Sequence, residues 1–281
     1  MPITTTRAGA FVVTAALAAA ALAGCGSSSG GSATTSAGAA TSAASTVKLI
    51  AAGKLTVCTH LPYAPFQFPD DSGKIVGFDV DMMDLVAKKL GVTQAIVDTP
   101  FEGIKSGQDT NTGKCDVSAA AMSITDERKK AILFSDGYFN ATQALLLPPD
   151  STVKTLADLK GKKLGAQAAT TGLDYATAQK AANGYDIVEF QDLASQTQAL
   201  LTGQVQAAIN DLPVWGDAVK KNVGKAVIGP QFDTGDVYGF GMKLGNDELK
   251  KTVDGVIKGA KADGTYNTLY KKWIGTDAPK S

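Results

Sequence analysis

The chain has 281 residues, 44% hydrophobic and 19% charged, with 27 basic and 27 acidic side chains. That is ordinary globular composition, long enough for two modest domains. Balanced charge, with no basic stripe carrying interleaved aromatics, excludes the electrostatic footprint of a nucleic-acid binder.

Residues 1–24 read as an export signal. Arg7 is the lone charge ahead of the apolar run 8–23, which is too short and too rich in Ala for a membrane span. The run ends in Leu22-Ala23-Gly24-Cys25, which resembles a bacterial lipobox whose Cys becomes the lipidated first residue. The plainer alternative is a cleaved signal followed by a chance Cys25. A lipid would tether the mature protein rather than embed it. Residues 26–46 contain only Ser, Gly, Ala and Thr, so they cannot bury a core and read as a flexible tether of about 25 Å. A body on such a leash is expected to work with a membrane partner. Cys58 and Cys115 remain. In an oxidising compartment an even pair suggests a disulfide, and two buried thiols are the alternative.

The body alternates strands and helices. Residues 55–59 read as a strand, and 60–68, with Pro62, Pro65 and three aromatics, as a loop at its end. A helix follows Gly77, with Met82, Met83, Leu85, Val86 and Leu90 as its buried stripe and Gly91 as its stop. Residues 95–97 form a strand, 101–106 a short helix, 109–113 a turn, and the apolar run 117–122 a buried strand. A helix containing Arg128 runs to Phe134-Ser135-Asp136, and 144–147 is a strand before Pro148-Pro149. In the second unit Thr155 and Asp158 carry a capping-box signature. A strand at 163–167, a small-residue loop at 168–172 and a helix from Leu173 come next. A strand at 187–190 precedes a helix capped by Ser195 and stopped by Gly203, and a strand at 205–210 ends at Asp211. Residues 237–242 read as a strand. Two amphipathic helices, broken at Gly264, finish the chain. The alternation predicts an α/β fold with parallel sheets covered on both faces.

The stretch Ser123-Ile124-Thr125-Asp126-Glu127-Arg128 carries the first chemistry. Thr125 has the position of a helix N-cap, and Asp126 and Glu127 suit the helix dipole, whereas Arg128 faces its positive end. Two readings stay open: a surface Arg paired with a nearby acid, or a guanidinium held at the mouth of a sheet to grip a carboxylate. The loop 168–172 either aims N–H groups at an anion or simply connects. Asp211 stands at the carboxyl end of a strand, where open α/β sheets bind ligands, or caps the helix before Pro213.

Five segments occur in a telling order. They are Tyr63-Ala64-Pro65-Phe66-Gln67-Phe68, Val76-Gly77-Phe78-Asp79-Val80-Asp81, Ser123 through Lys130 with Phe134-Ser135-Asp136, Gln167-Ala168-Ala169-Thr170-Thr171-Gly172, and Ala262-Asp263-Gly264-Thr265-Tyr266. With them the chain, from about Leu55 onward, resembles the polar amino-acid solute-binding proteins of ABC importers, extracellular family 3, and especially the glutamine-binding members. The resemblance implies a two-lobed periplasmic-binding-protein-like fold of type II. Each lobe would be an open, mostly parallel sheet flanked by helices. Residues 47–139 and 238–281 would form lobe 1 and 140–237 lobe 2, joined by two hinge crossings with the ligand between. It also implies roles. Arg128, with backbone at Ser123 and Thr171, would take a ligand α-carboxylate. Asp211, the Ser123 hydroxyl and the Ala121 carbonyl would take the α-ammonium, and Tyr63 and Phe101 would flank the ligand side chain. An ABC permease is the implied partner of a monomeric protein on the outer face of a Gram-positive-type membrane, with no cofactor, metal or catalytic group.

Departures from the family leave the side-chain subsite to be read from its residues. His60 stands where close relatives often have Asp, Gln167 where glutamine-binding members have Lys, and Ala169 where many have Gly. None of His60, Tyr63, Phe101, Gln167 and Gly172 is acidic, and Asp211 is engaged with the ammonium. A polar neutral or acidic side chain, glutamine- or glutamate-like, is therefore expected over Lys or Arg. Glu102 could alter this by turning inward, and Tyr63 and Phe101 could also hold a cation on their ring faces. Two rivals share the fold. A dehydratase or cell-wall lyase would add a catalytic group, and the chain offers one His and no nucleophile or metal motif. A tethered sensor would be followed by a transmembrane helix and a cytoplasmic domain, whereas the sequence runs to Ser281.

Overall fold

Two five-stranded sheets organise residues 47–279, the part of the chain that the computed structural model describes. Cys25, the export signal and the tether lie outside the described residues. No helix among the described residues is long and apolar enough to cross a membrane.

The first sheet has β1 (Lys54–Thr59) at its heart. β1 pairs in parallel with β4 (Thr93–Asp98) on one side and β5 (Val117–Ser118) on the other. Beyond β5 lie β12 (Gly241–Met242) and β6 (Leu133–Phe134), both in antiparallel pairings. In the second sheet β8 (Lys163–Gln167) pairs in parallel with β9 (Asp186–Phe190) and β10 (Ala207–Asp211). The long strands β7 (Phe139–Leu147) and β11 (Val227–Tyr238) complete it in antiparallel pairings. Strands whose connections run through helices are parallel, and antiparallel pairs occur where the chain passes between sheets.

The helices follow from the sequence pattern. α1 (Phe78–Leu90) buries Phe78, Met82, Met83 and Val86, and Gly91 stops it at φ +71°. The helix α8 (Asp247–Asp263) turns at Gly264 into α9 (Thr265–Ile274). Several expected boundaries move, each for a local reason. The strand expected over 117–122 stops at Ser118, because Ala121 adopts φ +46° and gives its N–H to Asp79 instead of a ladder. The helix at Arg128 is a single turn, α4 (Asp126–Lys129), before the chain straightens into β6. The turn expected at 109–113 is mostly helical over Gln108–Asn111. Asp192, not Ser195, caps the helix Leu193–Leu201, accepting from the Ser195 N–H at 2.7 Å. The strand expected over 237–242 is broken at Gly239 and Phe240, where the chain returns to the first sheet.

The two crossings bond to each other. Phe240 N–H donates to Ser135 Oγ at 2.9 Å, Ser135 N–H to Phe240 O at 2.9 Å and Tyr138 N–H to Tyr238 O at 2.9 Å. The Tyr138 and Phe240 rings stack at 4.1 Å. Beside them Asp79 is wholly buried. It accepts from the Tyr138 hydroxyl at 2.6 Å and from the Ala121 N–H at 2.8 Å. Burial raises its pKa to about 7, against the pull of those two bonds.

Two outcomes are expected. Cys58 in β1 and Cys115 ahead of β5 form a disulfide with a Cα–Cα distance of 5.7 Å, and it closes a loop of 57 residues. Replacing both with Ala should lower stability by about 4 kcal/mol in urea unfolding, and a loss below about 1 kcal/mol contradicts this. Asp79 holds its proton more tightly folded than unfolded, where the ordinary value is about 3.9. Its contribution to stability therefore falls as pH rises from about 4 through 7. Asp79→Asn should flatten the decline of Tm over that range, and an unchanged slope rules the assignment out.

Candidate functional site

Strand ends and helix starts from both sheets meet around one cavity. From the first-sheet side come His60, Tyr63, Gln67, Phe101, Ala120, Ala121, Ser123 and Arg128, and from the second Gln167, Thr170, Thr171 and Asp211. All nine residues singled out from the sequence as ligand contacts are among them. Gly172 is not a lining residue: it packs beneath Gln143, where an added Cβ would stand 2.8 Å from Oε1.

Arg128 is only 6% exposed. Thr125 caps the turn that carries it, its side chain accepting the Arg128 N–H at 3.2 Å. The guanidinium donates to Ser123 O at 2.8 Å and, across the cavity, to Ala169 O at 3.0 Å, and it lies 5.7 Å from the Phe101 ring centroid. Among the described residues no carboxylate lies within 4 Å of it. This removes the reading of a surface Arg paired with an acid. Burial pulls its pKa down, while Asp174, Asp211 and Asp236 act in the opposite sense. An arginine nevertheless stays cationic, so a buried positive charge faces the cavity. Ala169 presents its carbonyl to Arg128 from φ +68°, a conformation costing a non-glycine residue about 1–2 kcal/mol.

Asp211 is the opposing anion. It ends β10 and starts α7 (Leu212–Lys221), but its side chain makes no cap bond to that helix, which sets aside the capping reading. Its Oδ2 accepts from Tyr63 at 3.0 Å and also from Tyr238, while Gln143 donates to Oδ1. Burial raises its pKa to about 6. The bond from Tyr238 resists this, and nearby Asp236 adds to it. The Tyr63 hydroxyl also lies 2.7 Å from Asn210 Oδ1, its one hydrogen shared between the two acceptors, so one tyrosine from the first-sheet side reaches two residues of the second. Ser123 Oγ and Thr171 Oγ1, 3.3 Å apart, add another crossing. Thr171 opens α5 (Thr171–Asn183), two residues before the expected start, because Thr170 caps it through the Leu173 N–H. The first N–H groups of a helix have no intrahelical acceptor, so they suit an anion.

Several contributors escaped sequence reasoning. Gln143 and Tyr238 sit in strands, where a lone polar or aromatic residue reads as ordinary. Gln67 was visible within a loop motif but carried no assigned role. That loop is placed by Gly77, at φ +141°, where a Cβ would stand 2.1 Å from Phe66 O. Glu102 faces solvent, its side chain 68% exposed and 3.7 Å from Lys105.

Two helix-flanked sheets joined by paired crossings, with a polar cavity between them, are the architecture of two-lobed binding proteins. The profile of the bacterial extracellular solute-binding proteins, family 3, matches residues 55–276, and the chain belongs to that family. It is 34% identical over 236 residues to the L-cystine-binding protein TcyJ of Escherichia coli (strain K12), covering 83% of this chain and 87% of that one. An ancestral arginine-binding protein bound to glutamine superposes with a TM-score of 0.74 at 38% identity, over 80% of this chain and 99% of the other. The ancestral amino acid-binding protein AncCDT-1, a precursor of cyclohexadienyl dehydratase, gives 0.74 at 35%, over 79% and 96%.

Asp211 should titrate near pH 6 in carbon-detected NMR. Tyr238→Phe removes a donor to the ionised form and should move the midpoint upward. A wild-type midpoint near 4 contradicts the arrangement.

Proposed function

We propose that this protein is the substrate-binding component of an ABC importer. It holds a free polar L-amino acid between two lobes and delivers it, as a monomer, to the permease subunits. The observation that carries the reading is the pair of buried charges: Arg128 without a paired carboxylate and Asp211 opposite it. An amino-acid zwitterion supplies one partner for each. In this reading Arg128, Ser123 and the start of α5 at Thr171 take the α-carboxylate. Asp211, the Ser123 hydroxyl and the Ala121 carbonyl take the α-ammonium, while Tyr63 and Phe101 flank the side chain. His60 and Gln167 meet its far end. The lobes are residues 47–139 with 238–281, and residues 140–237. The sheet memberships support this division, since β7 begins at Phe139 and β11 ends at Tyr238.

Closing the lobes removes water from both charge pairs and strengthens them, so a ligand touching both sides favours the closed form. Relatives whose names state binding of cystine, arginine or glutamine support the amino-acid class and a binding protein rather than an enzyme. Within that class we favour a glutamine- or glutamate-like side chain, because Arg128 and Asp211 are the charged residues lining the cavity and the zwitterion occupies both. Cys25 is the lipid anchor in this reading, with the body tethered by 26–46 to the outer face of a Gram-positive-type membrane.

Calorimetric titration with the twenty amino acids tests the class. Arg128→Ala leaves the ligand carboxylate without its partner. A loss of roughly 2–5 kcal/mol is expected, at least tenfold in Kd, with the melting curve preserved. Asp211→Ala should behave alike. Variants that bind within threefold of wild type would remove the assignment.

A further inference from the structure

Two residues lining the cavity, His60 and Gln67, carry bare hydrogen-bond acceptors. His60 Nδ1 lies 3.0 Å from Thr99 O, and a carbonyl only accepts, so Nδ1 carries the hydrogen and Nε2 of the neutral ring is left as an acceptor. Gln67 Nε2 reaches His60 O at 3.4 Å. That carbonyl likewise assigns the amide nitrogen to the His60 side, leaving Oε1 as an acceptor with no partner. Four buried side-chain nitrogen or oxygen atoms among the described residues lack a partner, and two of them are His60 Nε2 and Gln67 Oε1. Both residues line the cavity, and Gln67 is only 1% exposed. An unmet buried acceptor is costly, so two in one cavity call for a ligand that donates.

We infer that Gln67 is a specificity-determining residue, acting with His60 to select an amino acid whose side chain ends in an uncharged N–H donor, a carboxamide. The inference rests on the amino-acid reading above and narrows it. A side-chain carboxylate would bring acceptors to these two acceptors, whereas a carboxamide can donate to them and still accept from the Gln167 amide, whose Oε1 is taken by Asn210. A cationic side chain would donate, but its charge has no counter-charge on the cavity wall once Asp211 holds the α-ammonium. Its route to compensation is the neighbouring hollow, which shares His60 and Phe101 with the cavity and is lined by Asp98, Glu102 and Asp192. Of those acids Glu102 is paired with Lys105, while Asp98 and Asp192 accept from the Leu61 and Ser195 N–H groups, which do not cancel their charge, so arginine is the competitor the test has to include.

The test compares glutamine, glutamate, methionine and arginine by calorimetry on the wild-type protein and on Gln67→Leu. Methionine matches glutamine in length and has no donor. Wild type should bind glutamine at least about tenfold more tightly than the other three, the margin of about one neutral hydrogen bond. Gln67→Leu should lower the ratio of glutamine to methionine affinity about tenfold. Tighter binding of glutamate, methionine or arginine by wild type overturns the inference while leaving the amino-acid reading standing, and so does an unchanged ratio in the variant. If no amino acid binds the wild-type protein, both fall together. The wild-type ranking decides the matter even if Gln67→Leu does not fold.

Discussion

A guanidinium buried without a carboxylate is the constraint around which this site is arranged. Taking a charge out of water is costly unless something pairs with it. Arg128 has two carbonyls, Ser123 O and Ala169 O, and the edge of an aromatic environment at Phe101. Carbonyl oxygens orient a guanidinium but do not neutralise it. The fold thus keeps an unmet positive potential at the cavity, and a buried anion, Asp211, stands on the other sheet. A ligand of zero net charge and large dipole completes both without changing the balance of the site. That is the chemistry of a free amino acid backbone, and it explains how one scaffold can serve relatives named for different amino acids.

Asp211 shows how the site is tied to the crossings. One of its hydroxyl donors, Tyr63, comes from a first-sheet loop; the other, Tyr238, lies at the end of β11 where the chain turns back. The Tyr238 ring stacks on Phe139, which opens the outgoing strand, at 5.5 Å. Rotation of one sheet body against the other would therefore alter the donors to the anion as well as the distance across the cavity. Asp79 plays a comparable part on the other side. Its carboxylate spans the Tyr138 hydroxyl at a crossing and the Ala121 N–H at the cavity wall. In the proposed reading the atoms that hold the ligand and the atoms that join the crossings are shared, which is how ligand binding and closure would be coupled.

Much of this was legible in the sequence, and the reasons are local. Helical stripes such as Met82, Met83 and Val86, and stops such as Gly91 and Gly264, are written in period and punctuation. The Thr125 cap and the misplaced charge of Arg128 marked the site because they conflict with each other under one helix dipole. What the sequence did not display depends on neighbours far along the chain. The strand expected through Met122 stops early because Asp79, 42 residues away, captures the Ala121 N–H. Gln143 looks like an ordinary strand residue, yet its amide nitrogen stands within hydrogen-bond reach of Asp211, Asp236 and Thr171.

The same distinction explains why charge is easier to read than specificity. Arg128 and Asp211 declare themselves by residue type, since each carries its sign in every environment that keeps it ionised. His60, Gln67 and Gln167 have no fixed sign: each can donate or accept, and only the surrounding backbone decides which. Thr99 O and His60 O set two of them. Asn210 sets the third, giving its amide hydrogen to Gln167 Oε1 at 3.1 Å and so occupying that acceptor. A composition-level count of the subsite therefore finds three interchangeable polar groups and permits either a carboxamide or a carboxylate. In the proposed reading the carbonyls of Thr99 and His60 favour a ligand end that can donate, and the His60–Gln67 part of that arrangement depends on Gly77 admitting the Phe66 backbone to close approach.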